Sequence, residues 1–402
     1  MTMIDHLRYA TLKPGRLSYG VVLLVCIAAV VLGGYSALTM EHAGHIITGM
    51  NNHVVWGLPH VFAVSLIVAA SGALNGASLA SVFGLSYYKP IARLSVALAM
   101  SLLVGGLLVL VLDLGRPDRL IVAMTTYNFR SIFAWNIFLY TGFLFIGACY
   151  LWMMMERRFN HHIKAMGRVA FAWRIVLTTG TGSIFGFLVG RNALDSALLA
   201  PLFVALSLVM GTAALTLVLV MLDRWQATLL NDQLLGSLRR LFVWFLIALV
   251  YFSIVHHVTN LYATEHHSVE RYTLMGQLSG MFWIGHIFVG VVLPLGVLLL
   301  PTMRLSNTGR LVISASLALL GGLALLYVVI IGSQSTPQML FPGKTILASR
   351  FGDAGFPTYH PSVWEWGLGI GGLALAVLSC LLVLRVLPLL PESQRIENVS
   401  SE

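Results

Sequence analysis

The chain has 402 residues, 58% of them hydrophobic and 10% charged, with a formal net charge of +9. A soluble domain of this size has too little interior for that much apolar surface, so lipid is its natural solvent. The basic residues lie between apolar stretches and form no continuous patch, which argues against a nucleic-acid partner. Cys26, Cys149 and Cys380 each sit inside an apolar stretch, and no CxxC or CxxCH occurs. The sequence therefore carries neither an iron–sulfur cluster motif nor a c-type haem attachment site.

Arg8, Lys13 and Arg16 precede an apolar run at 17–39. That run is too long for a signal-peptide core and no small-residue cleavage site follows it, so it reads as a retained first span. Further runs lie near 54–83, 91–113, 132–155, 168–189, 199–222, 240–262, 274–300, 310–332 and 364–389. A helix needs roughly 20 apolar residues to cross a hydrocarbon core, and these runs are too long and uninterrupted for barrel strands. The expected fold is all-α: a polytopic membrane bundle of about ten helices forming a single domain over 1–402, with 17–39 and 364–389 as flanking helices. With a cytoplasmic N-terminus, most of the 24 Lys and Arg fall on the inner side, and both termini face the cytoplasm. Arg157, Arg158, Lys164, Arg168 and Arg174 form the strongest inner cluster, whereas most histidines gather at the outer end. Gly72 and Gly76, Gly182, Gly186 and Gly190, and Gly367 and Gly371 read as close helix contacts. Asn75 reads as an interhelical hydrogen-bonder. A stretch at about 333–363, with Pro337, Pro342, Pro357 and Pro361, cannot span and reads as a cap or a partner-docking segment.

Chemistry concentrates at the outer ends of the spans. Asp113-Leu114-Gly115-Arg116-Pro117-Asp118-Arg119 closes the third run. Gly115 suits a helix C-cap and Pro117 stops continuation, so one reading is a capped turn held by Asp113–Arg pairs. The other makes Asp113 a proton acceptor with Arg116 holding it ionised. In Trp56-Gly57-Leu58-Pro59-His60, Trp56 and His60 share a face if one helix includes both. His60 is then either a proton-exchanging hydrogen-bonder to a quinone carbonyl or a histidine satisfied by its neighbours. His256, His257 and Asn260 close the seventh run and His286 lies in the eighth. They suit a polar outer pocket or one b-type haem. Glu41, His42 and His45, like Glu265, His266 and His267, lack the spacing of an established metal site and read as solvated loop residues.

Asp113 to Pro117, followed by Asn128, Ser131, Trp135 and Asn136 leading into the fourth run, resembles the NrfD/polysulfide-reductase family of membrane subunits. The likeness covers most of the chain. Gly49-Met50-Asn51-Asn52 through His60 most resembles its DsrP branch, from the DsrMKJOP sulfur-metabolism complex. The resemblance implies two four-helix bundles with flanking helices in a bacterial inner membrane. It also implies an exchangeable menaquinone or ubiquinone near the outer surface and no haem or iron–sulfur cluster in this chain. The implied partners are a periplasmic ferredoxin-like iron–sulfur subunit (DsrO-like), a multihaem cytochrome c (DsrJ-like) and a DsrMK-like membrane–cytoplasmic module. The implied quinone-side residues are His60, Trp56, Tyr127 and His286, with His60, Asp113 and Arg116 handling protons. Two other readings stay open, a b-type cytochrome anchor with one outer haem and a secondary transporter or ion channel. Midplane charges and matched broken helices, the marks of a transporter, are sparse.

Overall fold

The computed structural model describes residues 7–13, 17–226, 230–300, 305–336 and 357–392. A two-residue strand β1 (Tyr9–Ala10) leads into α1 (Leu17–Ala43). Next come α2 (Leu58–Ala73) and α3 (Asn75–Ser81), one rod broken at Leu74, then α4 (Lys89–Leu112) and a short α5 (Leu120–Thr125). The chain continues through α6 (Ile132–Met155), α7 (Ile163–Gly186), α8 (Leu199–Gln226), α9 (Asp232–Tyr262) and a short α10 (His267–Leu274). A π-helical stretch, Gly280–Val292, runs into α11 (Leu293–Leu299). Then α12 (Asn307–Tyr327) ends in a π-helical turn, Val328–Gly332, and α13 (Val363–Val386) leads to β2 (Leu390–Pro391).

Among the described residues, nine helical segments are long and apolar enough to cross a membrane. The expected fifth span is the one not among them. It is helical as α7, but Arg174 and a Thr-, Gly- and Ser-rich second half dilute its apolar character. Its packing still takes it through the bundle. Gly167 lies against Tyr150 and Ser81 at one end, and Gly186 lies against Ser196 at the other. Parity gives the same answer: β1 pairs antiparallel with β2, so both ends of the described chain lie on one face. Nine crossings would put them on opposite faces, and α7 as a tenth brings the chain back.

The helices pack in two sets of four. One holds α2, α4, α6 and α7; the other holds α8, α9, α12 and the π-helical stretch with α11. α8 joins them, touching α2 and α7 on one side and α9 and α12 on the other, while α13 packs against α4 and α2 and α1 packs on α13. The apolar stretch of α2–α3 is 100% buried and that of α1 only 22%, so α2 is the axis and α1 lies at the lipid.

Lipid offers no hydrophobic force between helices, so close backbone approach and dispersion hold them together. The tightest approach is between α2 and α8. A Cβ on Gly72 would fall 1.6 Å from the Ser207 carbonyl oxygen, and one on Gly211 would fall 2.1 Å from the Gly72 carbonyl carbon. Neither obstacle is a flexible side chain, so the helices themselves would have to separate. Asn75 departs from expectation. Its Nδ2 is buried with no partner among the described residues, and Asn136 instead makes the interhelical bond, Nδ2 donating to Gly180 O at 3.1 Å.

Gly72→Ala is expected to cost at least about 3 kcal/mol, at the upper end of overpacking effects, and to lower the thermal midpoint of the purified chain. Gly236, which has nothing within 4 Å of its would-be Cβ, is the control. Gly236→Ala should leave the midpoint unchanged or slightly raise it.

Candidate functional site

The site is built where α2 begins and α4 ends. Gly57 is extended and Pro59 occupies the first turn, so α2 starts at Leu58. Trp56 therefore lies in the preceding loop and does not share a helix face with His60. It reaches His60 by folding back: the two rings stack with centroids 5.6 Å apart and 16° between planes. Phe185 meets the Trp56 ring edge-on at 5.7 Å and Phe133 lies at 6.2 Å, which gives His60 an aromatic wall.

Asp113 is the C-cap of α4, its N–H bonded to Val109 O at 3.0 Å. Its carboxylate Oδ2 lies 3.3 Å from His60 Nδ1, with side-chain exposures of 16% for His60 and 3% for Asp113. Asp113 Oδ1 is buried with no hydrogen-bond partner. A buried carboxylate oxygen left unpaired costs about 1–3 kcal/mol, more for a charged group, so such an atom marks a place for a further donor. With Nδ1 committed to Asp113, Nε2 is the His60 nitrogen left to face a ligand. Beyond Asp113 the chain reverses at Gly115, in the left-handed region at φ +70, where the His45 ring lies 3.0 Å from the position a Cβ would take.

Arg116 does not hold Asp113. Its Nε and Nη2 donate to Asp118 Oδ1 and Oδ2 at 3.0 and 2.9 Å, on the exposed side of the turn. A planar fork two residues from a carboxylate closes this local bidentate pair more readily than it reaches back over Gly115. The hydrogen bond from Arg116 holds the Asp118 carboxyl below its ordinary value. The partner of Asp113 is thus His60, 53 positions away. Tyr127 lies in a separate aromatic cluster, 4.5 Å from Phe138 and 5.9 Å from Phe129 between centroids.

Residues far along the chain fix the loop before α2. Gln334 accepts from the N–H groups of Val55 and Trp56 at 2.9 and 3.0 Å and donates Nε2 to Trp56 O at 3.0 Å. Arg191 donates to Gln334 O at 3.2 Å and to His53 O at 3.1 Å. Glu365 is fully buried and accepts from Gly49 N at 2.8 Å, Ser362 N at 2.7 Å and Tyr359 Oη at 2.5 Å. Tyr359 Oη in turn accepts from Leu58 N at 2.6 Å. Burial first, and then the bond to Glu365, push the Tyr359 phenol well above its ordinary value, so it stays protonated. None of Gln334, Arg191, Tyr359 and Glu365 was expected at the site. One sequence signal existed: Ser362-x-x-Glu365 is a capping box, and the structure forms it. Most of the proline-bearing stretch, 337–356, lies outside the described residues.

His286 belongs to a different place. It is fully buried in the second set of helices, Nε2 3.4 Å from Ser253 Oγ and Nδ1 3.3 Å from Gly321 O. Nearby, His257 Nδ1 lies 2.7 Å from Glu270 Oε2. Asn260 donates to Glu270 Oε1 at 2.8 Å, and His256 Nδ1 lies 3.1 Å from Ser196 Oγ. Donor atoms of His256, His257 and Glu270 fall within 4.8 Å of one another, a spacing that suits a metal, but both His256 nitrogens, His257 Nδ1 and both Glu270 oxygens already hydrogen-bond within the protein. His256 and His286 likewise have both ring nitrogens engaged by protein groups, which does not suit a haem ligand. Burial pushes the Glu270 carboxyl up, but the hydrogen bonds from His257 and Asn260 outweigh it and hold the group below its ordinary value of 4.5.

A family model described as polysulphide reductase, NrfD, matches residues 47–338. An Hdr-like menaquinol oxidoreductase integral membrane subunit of Archaeoglobus fulgidus is 27% identical, over 94% of this chain and 96% of its own length. A putative dimethyl sulfoxide reductase membrane subunit of Halobacterium salinarum is 29% identical over 95% and 92%. The integral membrane subunit of a menaquinone reductase from Nitratidesulfovibrio vulgaris is 22% identical over 91% and 90%.

Glu365→Ala strands three donors, so it should cost at least about 3 kcal/mol and speed hydrogen exchange at the Gly49 amide. Glu270 gives a pH signature. Its folded-state value is depressed, so its contribution to stability is full above pH 4.5 and is lost as pH falls through the folded value. Thermal melts between pH 6 and roughly pH 3 should show a shallower acid limb for Glu270→Gln than for the wild type.

Proposed function

The chain belongs to the NrfD polysulphide reductase family, and we propose that it is the quinone-reactive membrane subunit of a respiratory oxidoreductase complex. The single observation that carries this reading is the His60–Asp113 pair: a half-buried imidazole on an aromatic wall, backed by a buried carboxylate with one oxygen unpaired. The relatives named for menaquinol or menaquinone chemistry, matched along nearly their whole length, support it.

The donor set fits a quinone headgroup. A flat ring with a carbonyl at its edge needs an aromatic surface and a hydrogen-bond donor at one end, and Trp56, Phe133 and His60 provide both. A bound menaquinone or ubiquinone would supply the reversible two-electron, two-proton chemistry. The chain's own residues have the proton side of the work. His60 donates or accepts at Nε2, while Asp113 on Nδ1 sets the tautomer and balances the imidazolium when it forms. Asp113 Oδ1 then receives a proton or a water at the turn where α4 meets the aqueous edge. Arg116, tied to Asp118, shapes this turn without touching Asp113. A cavity of about 690 Å³ lies at the other end of the bundle, so the reading rests on the chemistry at His60 and not on cavity size.

Electrons need a carrier, and the sequence holds no cluster-binding cysteine motif. A periplasmic ferredoxin-like iron–sulfur subunit on the His60 side fills that role in this proposal. Within it, the DsrP-like likeness adds a multihaem cytochrome c, a DsrMK-like module and sulfur-compound metabolism. In this proposal the β1–β2 end of the bundle lies on the cytoplasmic side of a bacterial inner membrane, a reading that the charge bias supports.

His60→Ala should lower quinol-coupled electron transfer roughly 100-fold, the lower range of general acid–base contributions, in a complex that still assembles. Asp113→Asn, which keeps the shape and removes the charge, should lower it by a smaller factor and shift its pH profile. Unchanged turnover of assembled His60→Ala complex refutes the assignment. A reduced-minus-oxidised absorbance spectrum of the purified chain distinguishes the b-type cytochrome reading, which requires haem bands.

A further inference from the structure

We propose that the crevice between the N-terminal segment, the α3–α4 turn and the α6–α7 turn binds the phosphate headgroup of an anionic phospholipid. It encloses about 690 Å³, and Lys89, Arg93, Arg157, His161 and Lys164 line it. No acidic side chain does so among the described residues. Glu156, adjacent in sequence, turns its carboxylate to the Arg158 N–H at 3.4 Å. Four Lys and Arg side chains therefore converge with no acidic side chain among the described lining residues, and like charges held together at a low-dielectric edge repel unless an anion joins them.

The crevice is built, not incidental. Arg93 is its fixed back wall: its guanidinium lies 3.8 Å from the Tyr9 ring centroid, donates to Pro388 O at 3.1 Å and also donates to Met154 O. Tyr9 donates to Lys89 O at 3.1 Å, tying the N-terminal segment to the start of α4. Lys89, Arg157 and Lys164 are left as the adjustable cations at the mouth. Behind them Ala92, Met154 and Tyr150 are buried, and Ile163 and Ser81, both half-buried, complete the lining. Tyr150 and Ser81 bond each other at 2.6 Å, so they ask nothing of a ligand.

That order of chemistry selects the ligand class. Inorganic phosphate uses cations alone and gains nothing from the apolar depth. A phospholipid uses both, with its phosphate among the cations and its chains along the helices. Basic pockets between membrane helices recognise anionic headgroups in this way. The crevice lies at the end carrying the β1–β2 pair and the strongest basic cluster, opposite His60. It is thus separate from the proposed quinone site.

The test uses the full chain, with any subunits that accompany it, stripped of native lipid and titrated with phosphatidylglycerol under native mass spectrometry. Phosphatidylcholine and inorganic phosphate are the comparison probes, and thermal midpoint is the second readout. Wild type should retain phosphatidylglycerol and gain thermal stability from it. K89Q/R157Q/K164Q should bind it roughly 100-fold more weakly, and R157Q or K164Q alone roughly fivefold more weakly, at the usual contribution per basic residue. Arg130→Gln, at the opposite end, should bind as wild type. The single changes fall on exposed side chains and keep the test decisive should the triple variant misfold. Equal phosphatidylglycerol binding by wild type and the single variants overturns the proposal. So does equal retention of phosphatidylcholine, or an equal thermal gain from inorganic phosphate.

Discussion

A carboxylate that is fully buried and fully bonded sets the geometry of the His60 end. Glu365 gathers donors from Gly49, Ser362 and Tyr359, and Tyr359 passes the constraint on to Leu58, the first residue of α2. Removing such a group from water is costly, and only near-complete hydrogen bonding repays it. The arrangement is therefore all-or-none: the loop 49–57, the start of α13 and the start of α2 are in place together or not at all. A Cβ on Gly57 would sit 2.3 Å from Glu365 Oε1, which shows how closely the backbone is drawn in. Because α2 begins where Tyr359 holds it, His60 is set at the height of Asp113. The pair at the candidate site is thus positioned by residues about 300 positions away.

The second set of helices solves the same problem with different chemistry. There Glu270 is satisfied by His257 and Asn260, and His256 by Ser196. Both Glu270 oxygens and both His256 nitrogens have protein partners, whereas Asp113 Oδ1 has none. The contrast separates a polar network that holds helices together from one that leaves a valence open. His286, grouped with His60 when only order along the chain is known, lies instead within the second set, against Ser253 and Gly321.

Spans were legible because a period and a length suffice to define them. The run at 168–189 reads as a crossing, and the β1–β2 pairing makes it one despite its diluted apolar content. Gly115 as a chain reversal and Ser362 with Glu365 as a cap are also local facts, readable within four residues. What the sequence hid was pairing across distance. Arg116 has two carboxylates within three positions, and composition does not rank them; bidentate geometry does, in favour of Asp118. Trp56 and His60 have the spacing of a helical pair, yet the contact comes from a loop folded over an extended Gly57. Gln334, at the end of the helical segment that continues α12, and Arg191, in the loop after α7, carry no pattern that links them, and only the fold brings them to Trp56 and His53.

The two ends of the first set of helices handle charge in opposite ways, and the difference follows from what each end faces. At the His60 end acidic and basic side chains stand side by side: Asp113 with His60, Arg116 with Asp118. At the other end, Lys89, Arg93, Arg157 and Lys164 line a cavity with no acid among its described lining residues. An excess of positive charge is tolerable only where a negative surface or ligand lies alongside, and the anionic leaflet of a membrane is such a surface. On these proposals one end of the bundle serves the chemistry and the other attachment to anionic lipid. α2–α3 and α4 connect the two through a common buried core, and α4 itself runs from Lys89 at one end to Asp113 at the other.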